Sequence, residues 1–373
     1  MNKHLNKNSW ITYMFLATLS IFSPGNTAGQ TGKRTIEFPD IPGFKTLTCD
    51  LHMHTVLSDG SVWPDIRVRE AIMDGLDAIS ITDHLEYQPH SKDIPHPDRN
   101  RGYNLALESA GNSGLIIING AEITRSMPPG HFNAIFLEDA NKLLQDDILE
   151  VFREARRQNA FVCWNHPHWT AQQPDGVATL QEIHEELING GLINGIEVYN
   201  ENTYSDEALR IALDEGLTIL GTSDIHGLID WMFDVPGGGH RPVTLAFATE
   251  KSPESLKEAL FGGRTAVWFD NTLVGSAEFL VPLIEASLQV DSPGNGLVRD
   301  VFVTNASDAS YILENLSGFT FHNHSHVVEL KAHERTLIQV KTAGSTGPLS
   351  LRFRVLNTVT EPGRHAEIEI RVE

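Results

Sequence analysis

CDLHMHTVLSDG places two histidines one residue apart after a strand-like run, with an aspartate five residues beyond the second. Successive side chains of an extended segment alternate faces, so His52 and His54 share one face. TILGTSDIH repeats the device with Asp224 and His226. Between these pairs come His84 in ISITDH, Glu122 in NGAEIT, His131 opening HFNAIF and His166 closing FVCWNH. One histidine alone is most often an ordinary core or surface residue. Together with Asp59 these make six histidines and three carboxylates at strand ends, which points to metal binding. Imidazole nitrogens mixed with carboxylate oxygens, without thiolate, suit zinc, manganese or iron. Nine ligands exceed what one ion can use, so two to three divalent ions are expected. Glu122 is a natural bridge, because its two oxygens can bind different ions.

These residues need a scaffold that delivers strand ends to one place. From Thr46 onward, β-branched runs alternate with amphipathic stretches: LTCD, IRVREAIMDG, AISITD, RGYNLALESA, LIIING, NAIFL, DDILEVFREARRQN, FVCWN, LQEIHEELIN, GIEVYN, SDEALRIALDEG and LTILGTSD. Strand after helix after strand predicts an α/β fold with a parallel sheet and right-handed crossovers. Seven such strands suggest closure into a barrel, whose reactive groups sit where strands end and loops begin. The candidate ligands fall at those positions.

DLHMHTVLSDG, ITDH, GAEIT, HFNAIF, NHP and SDIH, in this order, resemble the motifs of the polymerase and histidinol phosphatase (PHP) family of metal-dependent phosphoesterases, over about residues 46–268. The resemblance implies a distorted (β/α)7 barrel with a trinuclear metal centre. It implies that His52, His54, Glu122 and Asp224 hold one metal, that Glu122 bridges to a second bound by His131 and His166, and that Asp59, His84 and His226 hold the third. Some members carry histidine near the position of Asp59. In such a centre a water shared by two ions is acidified to hydroxide while the third ion neutralises charge on the phosphoryl group. The expected reaction is phosphoester hydrolysis.

Further candidates surround this set. Arg241 in PGGGHRPVTLAF could bind phosphate bidentately, and His240 beside it could protonate the leaving oxygen. Arg99, Arg101 and Tyr103 are candidates of the same kind. Asp50 and Asp83 read as residues that orient imidazoles. His168 reads as packing or as facing the cleft; Tyr199, Asn200 and Asn202 read as substrate contacts or turn residues; His184 reads as surface. Cys49 and Cys163 read as buried free thiols.

The rest of the chain bounds the function. With 373 residues and 40% hydrophobic content, it can build a barrel and a small companion. A net charge of −21 and a pI of about 5.2 disfavour a partner that is a nucleic-acid polymer. Lys3, His4 and Lys7 precede an apolar stretch from Trp10 to Phe22, shorter than the roughly 20 residues of a membrane span. A signal peptide over residues 1–28 and a periplasmic or secreted location are therefore expected, with no stable membrane insertion after cleavage. Residues 29–273 form the expected barrel. Residues 274–373, with alternating runs such as LSLRFRVL and AEIEIRVE, predict a small antiparallel β-sandwich. His322, His324 and His326 in FHNHSH read as a solvated strand face or hairpin. Leader, barrel and β-rich segment together are similar to secreted bacterial PHP phosphodiesterases acting on small phosphodiesters. A phosphomonoesterase, an amide or lactone hydrolase, and a surface or glycan-binding protein with structural metal are the alternatives. Structural zinc sites are closed by four ligands, whereas this set leaves positions open to water. Oligomeric state is not legible.

Overall fold

A computed structural model describes residues 35–294, 296–344 and 347–373. The expected leader, residues 1–28, lies outside them. No helix among the described residues is long and apolar enough to cross a membrane. The chain alternates β1 (Lys45–Asp50), α1 (Pro64–Asp74), β2 (Ala78–Ile81), α2 (Arg101–Ala110), β3 (Ile116–Ile123), β4 (Phe132–Ile135), α3 (Ile148–Arg157), β5 (Phe161–Trp164), α4 (Glu182–Asn189), β6 (Gly195–Asn200), β7 (Thr203–Tyr204), α5 (Asp206–Glu215) and β8 (Thr218–Thr222). Then follow α6 (Ile229–Met232), β9 (Val243–Ala248), α7 (Pro253–Phe261), β10 (Thr265–Phe269) and β11 (Thr272–Gly275). Local chemistry sets several boundaries. α1 starts on Pro64, whose fixed φ suits the first helical position, and stops at Gly75 with φ 72°. Ser205 and Ser252 cap α5 and α7 by accepting from Ala208 N and Ser255 N.

The sheet is mixed rather than purely parallel, a correction to the sequence reading. β4 runs antiparallel to both β3 and β5. Only residues 124–131 separate β3 from β4, too few for a helical crossover, so the chain must return as a hairpin. β9 and β10, beyond the seven strands read from sequence, extend the sheet from β1 by antiparallel pairing. Strands β2, β4, β5, β8, β9 and β10 are buried at every residue, which is why they read as apolar runs without alternation.

Closure of this distorted barrel depends on side chains. β8 pairs parallel with β6, with a register shift between Glu197 and Tyr199, but towards β9 and β10 it is tied by threonine hydroxyls. Thr244 Oγ1 accepts from Gly221 N at 3.0 Å and donates to Gly221 O at 2.9 Å, and Thr265 Oγ1 donates to Ile219 O at 2.7 Å. A Cβ at Gly221 would lie 2.2 Å from Val267 Cγ1, so only glycine permits this approach.

Helix α8 (Ala277–Ser287) leads into β12 (Leu288–Asp291), β13 (Val298–Asn305), β14 (Tyr311–Asn315), β15 (Thr320–Phe321), β16 (Val327–Leu330), β17 (Arg335–Lys341), β18 (Leu349–Val355), β19 (Thr358–Val359) and β20 (Ala366–Val372). Two antiparallel four-stranded sheets, β12-β13-β17-β15 and β16-β14-β18-β20, face each other as the expected sandwich. β18 alternates buried and exposed residues, as a strand with one wet face must. β19 instead pairs parallel with β11 and extends the barrel's sheet. Phe247 of β9 stacks on Phe279 of α8 with 5.3 Å between centroids, and one apolar cluster continues from there into the sandwich. Cys49 and Cys163 are buried free thiols packed with Leu256, Ala259 and Leu260 of α7.

Candidate metal centre

Past the ends of β1 and β8 the two segments stay side by side, and Met53 bridges to Ile225 in parallel register. That bridge sets His52 and His54 beside Asp224 and His226. His54 N donates to Ile225 O at 3.1 Å, and a second bridge, His84 to Glu122, aligns the ends of β2 and β3. The SDG turn folds back so tightly that a Cβ at Gly60 would lie 2.7 Å from the backbone of His54, which brings Asp59 to the cluster. Asp59 Oδ1 lies 3.2 Å from His226 Nε2, and Oδ2 lies 3.4 Å from His84 Nε2.

All nine residues converge. His52 Nε2 and His54 Nε2 are 3.1 Å apart, and both approach Asp224 Oδ1, at 3.1 and 3.0 Å. Glu122 Oε1 lies 3.1 Å from His131 Nδ1 and 3.5 Å from His166 Nε2. Its Oε2 lies 3.7 Å from His54 Nε2 and against His84 Nδ1. The two oxygens of one carboxylate thus serve different histidine groups. Three sets have ligand atoms close enough for one ion: His52, His54 and Glu122; His84, Glu122 and His131; and His54, Asp59, His84 and His226. His84 joins Glu122 and His131 here, a grouping the sequence did not suggest.

The donor set fits cations. Asp59 Oδ1, Glu122 Oε2 and Asp224 Oδ1 are buried without hydrogen-bond partners among the described residues, although imidazole nitrogens stand within ion-pairing distance. Nitrogen and oxygen lone pairs therefore point at shared space rather than along N–H bonds. Leaving three carboxylate oxygens so would be costly unless positive charge fills that space.

Electrostatics say the same. Burial opposes charge on His52, yet Asp224 and Glu197, with Glu122, outweigh it and raise His52 to about 10. Burial also opposes charge on His84, but Glu122 and Asp59 raise it to about 11. Burial, aided by His84 and His226, pushes His54 down to about 3 despite Asp224. Asp59 is held well below the carboxylate range: burial works against this, and His226 and His84 prevail. The pocket demands cations, whether protons or metal ions.

Residues outside the predicted set orient it. Glu197, in the middle of GIEVYN and fully buried, accepts from His52 Nδ1 at 2.8 Å, Thr222 Oγ1 at 2.6 Å, His166 N at 2.8 Å and Asn200 Nδ2 at 2.9 Å. With Nδ1 so engaged, His52 turns Nε2 to the centre. His84 Nδ1 donates to Thr124 Oγ1 at 2.6 Å, and His226 Nδ1 donates to Asp224 O at 2.8 Å, which frees both Nε2 atoms. Asn165 Nδ2 donates to Glu122 Oε1 at 2.9 Å. A carboxylate inside an otherwise apolar strand was the available signal for Glu197. His166 and Asp224 adopt left-handed φ of 27° and 47°, uncommon for such residues and concentrated at functional sites.

Several expectations need correction. Arg241 does not face the centre: its guanidinium is buried, 3.0 Å from Asp50 Oδ2 and 2.6 Å from Asp74 Oδ2. His240 lies flat on Trp268 at 3.6 Å, lining a cavity of about 960 Å³ with residues such as Tyr199, Asn202 and Asp308. Neither Asp50 nor Asp83 touches an imidazole nitrogen. Asp50 accepts from Ser223 and Arg241, and Asp83 accepts from Thr55 N and the Thr55 and Ser58 hydroxyls, bracing the loop after His54. Arg99 donates to Leu85 O and His96 O, Arg101 donates to Pro95 O, and Tyr103 packs against the core. His184 is buried, not surface: its Nε2 donates to Pro129 O at 2.7 Å and its ring stacks on Trp164 at 4.1 Å. His168 is buried and donates to Thr203 Oγ1 at 2.9 Å.

Comparison with known proteins adds lineage to this geometry. Residues 50–237 match the PHP domain, and residues 288–371 match an Ig-like domain. A Bacteroides vulgatus two-domain protein containing a predicted PHP-like metal-dependent phosphoesterase is 40% identical, with a TM-score of 0.86 over 91% of this chain and 99% of that one. A metal-dependent phosphoesterase from Bifidobacterium adolescentis is 18% identical over 48% of this chain and 88% of that one, with a TM-score of 0.38. A lesion-specific endonuclease from Pyrococcus furiosus is 15% identical over 62% and 59%, with a TM-score of 0.44. Among curated proteins none matches.

Proposed function

Since the chain belongs to the PHP domain family, we propose that it is an exported metal-dependent phosphoesterase that hydrolyses small phosphodiesters at a trinuclear centre. What carries this reading is the convergence of six imidazoles on three carboxylates, each with a buried oxygen that has no hydrogen bond among the described residues. His52, His54, Glu122 and Asp224 would hold one ion; Glu122, His131 and His166 a second; Asp59, His84 and His226 a third. Divalent ions bound there supply an acidified water and neutralise charge on the phosphoryl group. The chain's own part is positional. Glu197, Thr124 and the Asp224 carbonyl fix three imidazoles by their Nδ1 atoms. The His226 side chain is 36% exposed while those of His52 and His54 are fully buried, so substrate reaches the centre from the Asp59–His226 side. Export rests on the basic and apolar pattern of residues 3–22, and the acidic net charge favours a small ester over a nucleic-acid polymer.

Elemental analysis for bound metal, followed by hydrolysis of bis(p-nitrophenyl) phosphate and p-nitrophenyl phosphate before and after chelation, tests the proposal. Chelator-sensitive turnover that is faster on the diester is expected. Faster monoester turnover overturns the diester choice, and metal retained with no turnover of either ester overturns the enzyme reading.

A further inference from the structure

Two aromatic side chains beside the candidate metal centre are not accounted for by core packing. Trp169 is 45% exposed and Tyr87 is 52% exposed. The Trp169 ring lies 5.2 Å from that of His166 and 5.7 Å from that of His131. Tyr87 stands edge-on to His84 at 5.8 Å. Backbone bonds hold Trp169, whose N donates to His166 O at 2.9 Å and whose O accepts from Gln173 N at 2.7 Å; two residues before Tyr87, Leu85 N donates to Glu122 O at 2.9 Å. Single exposed aromatics need no explanation, but two packed on ligand imidazoles of one centre do. Nearby guanidiniums are already engaged, Arg125 with Glu86 and the Gln145 carbonyl and Arg99 with the Leu85 and His96 carbonyls. The rim therefore offers aromatic faces, which bind planar rings at low entropic cost because each side chain has few rotatable bonds.

We infer that Trp169 and Tyr87 are specificity residues that stack on the organic group of the substrate, so that phosphoesters bearing a planar aromatic ring, aryl or nucleobase, are preferred over alkyl ones. The inference rests on the phosphoesterase reading above and names its substrate class.

The test compares metal-loaded wild-type protein with Trp169→Ala, Trp169→Phe and Tyr87→Ala. Calorimetry measures binding of phenylphosphonate and methylphosphonate. Kinetics measure kcat/KM on the methyl, phenyl and thymidine 5′ esters of p-nitrophenyl phosphate, which share one leaving group. Wild-type protein should bind phenylphosphonate about tenfold more tightly than methylphosphonate. Trp169→Ala should lose most of that preference, through KM more than kcat, and Trp169→Phe should keep it. Tyr87→Ala should lose part of it and stands in should Trp169→Ala fail to fold. The phenyl and thymidine arms separate an aryl ring from a base. Equal affinities in the wild-type protein, or variants that weaken both phosphonates alike by merely unpropping the histidines, overturn the inference. Diester turnover without aromatic preference sinks this inference alone; aromatic preference without turnover sinks the phosphoesterase reading alone.

Discussion

HMH at residues 52–54 and HNH at residues 322–324 have the same local spacing and different fates. In the first, both imidazoles are fully buried within 3.0–3.7 Å of Glu122 and Asp224 oxygens. In the second, the chain turns between β15 and β16: His322 and His326 are exposed, His324 Nε2 donates to Leu337 O at 2.8 Å, and His326 lies 3.9 Å from Glu314. Spacing along the chain is thus not what makes a site. Carboxylates delivered by other strands into a buried pocket are, because there the imidazole nitrogens and carboxylate oxygens face one another rather than bulk solvent.

Removing the carboxylate that serves two groups should break the comparison most severely. Glu122→Ala should lower hydrolysis by on the order of a thousandfold and reduce metal per chain, measured by steady-state rates and elemental analysis. Retained metal and rates within tenfold would mean that Glu122 does not bridge.

The contrast also shows how much was readable beforehand. Most of the nine candidate ligands were legible because they sit at or just past the end of an apolar strand run, whereas Asp59, in the loop after β1, and His131, just before β4, stood out through their motifs. The sandwich was legible from alternation. Directions within the sheet were not: PVTLAF was not among the seven strands read from sequence, yet it forms β9, which runs antiparallel to β1. Arg241 and Asp50 misled for a related reason. A charged residue near a motif looks functional until the fold shows it neutralised internally, as Arg241 is between Asp50 and Asp74. Glu197 was missed because one acidic letter in GIEVYN carries no spacing signal, and its partners, His52 and Thr222, come from two other strands.

Acidity offers the next largest effect. His52 and His84 stand near 10 and 11 in the metal-free protein, whereas a ligating imidazole must be unprotonated. Each ion that takes one of these nitrogens therefore displaces a proton, and its apparent affinity should rise about tenfold per pH unit between pH 7 and 9. Calorimetry in buffers of different ionisation enthalpy counts the protons released. Stability follows the opposite sign. A raised folded pKa contributes stability fully below 6.5, the ordinary imidazole value, and that contribution is lost as pH climbs towards 10. Chelated protein should thus lose melting temperature between pH 7 and 10 more steeply than loaded protein. Parallel melting curves would show that the histidines hold no ion.

Glu197→Gln sharpens the comparison without removing a ligand. The amide can still accept through one oxygen but no longer compensates charge beside His52 or accepts from His166 N through a second oxygen. A loss of roughly ten- to a hundredfold in metal affinity or rate is expected, with the fold retained by circular dichroism. A full-activity variant would make Glu197 a packing residue only.

The smallest effect belongs to the second histidine pair. His324 makes one part-buried bond to the Leu337 carbonyl from the segment that connects β15 to β16, and a single neutral hydrogen bond contributes about 1 kcal/mol. His324→Ala should leave hydrolysis and metal content unchanged and lower stability only slightly. The variant matters because it isolates the variable: identical spacing, identical residue type, no buried carboxylate. If metal content fell with His324, ligation would have to extend into the sandwich, and the claim that burial among distant carboxylates distinguishes the two pairs would fail.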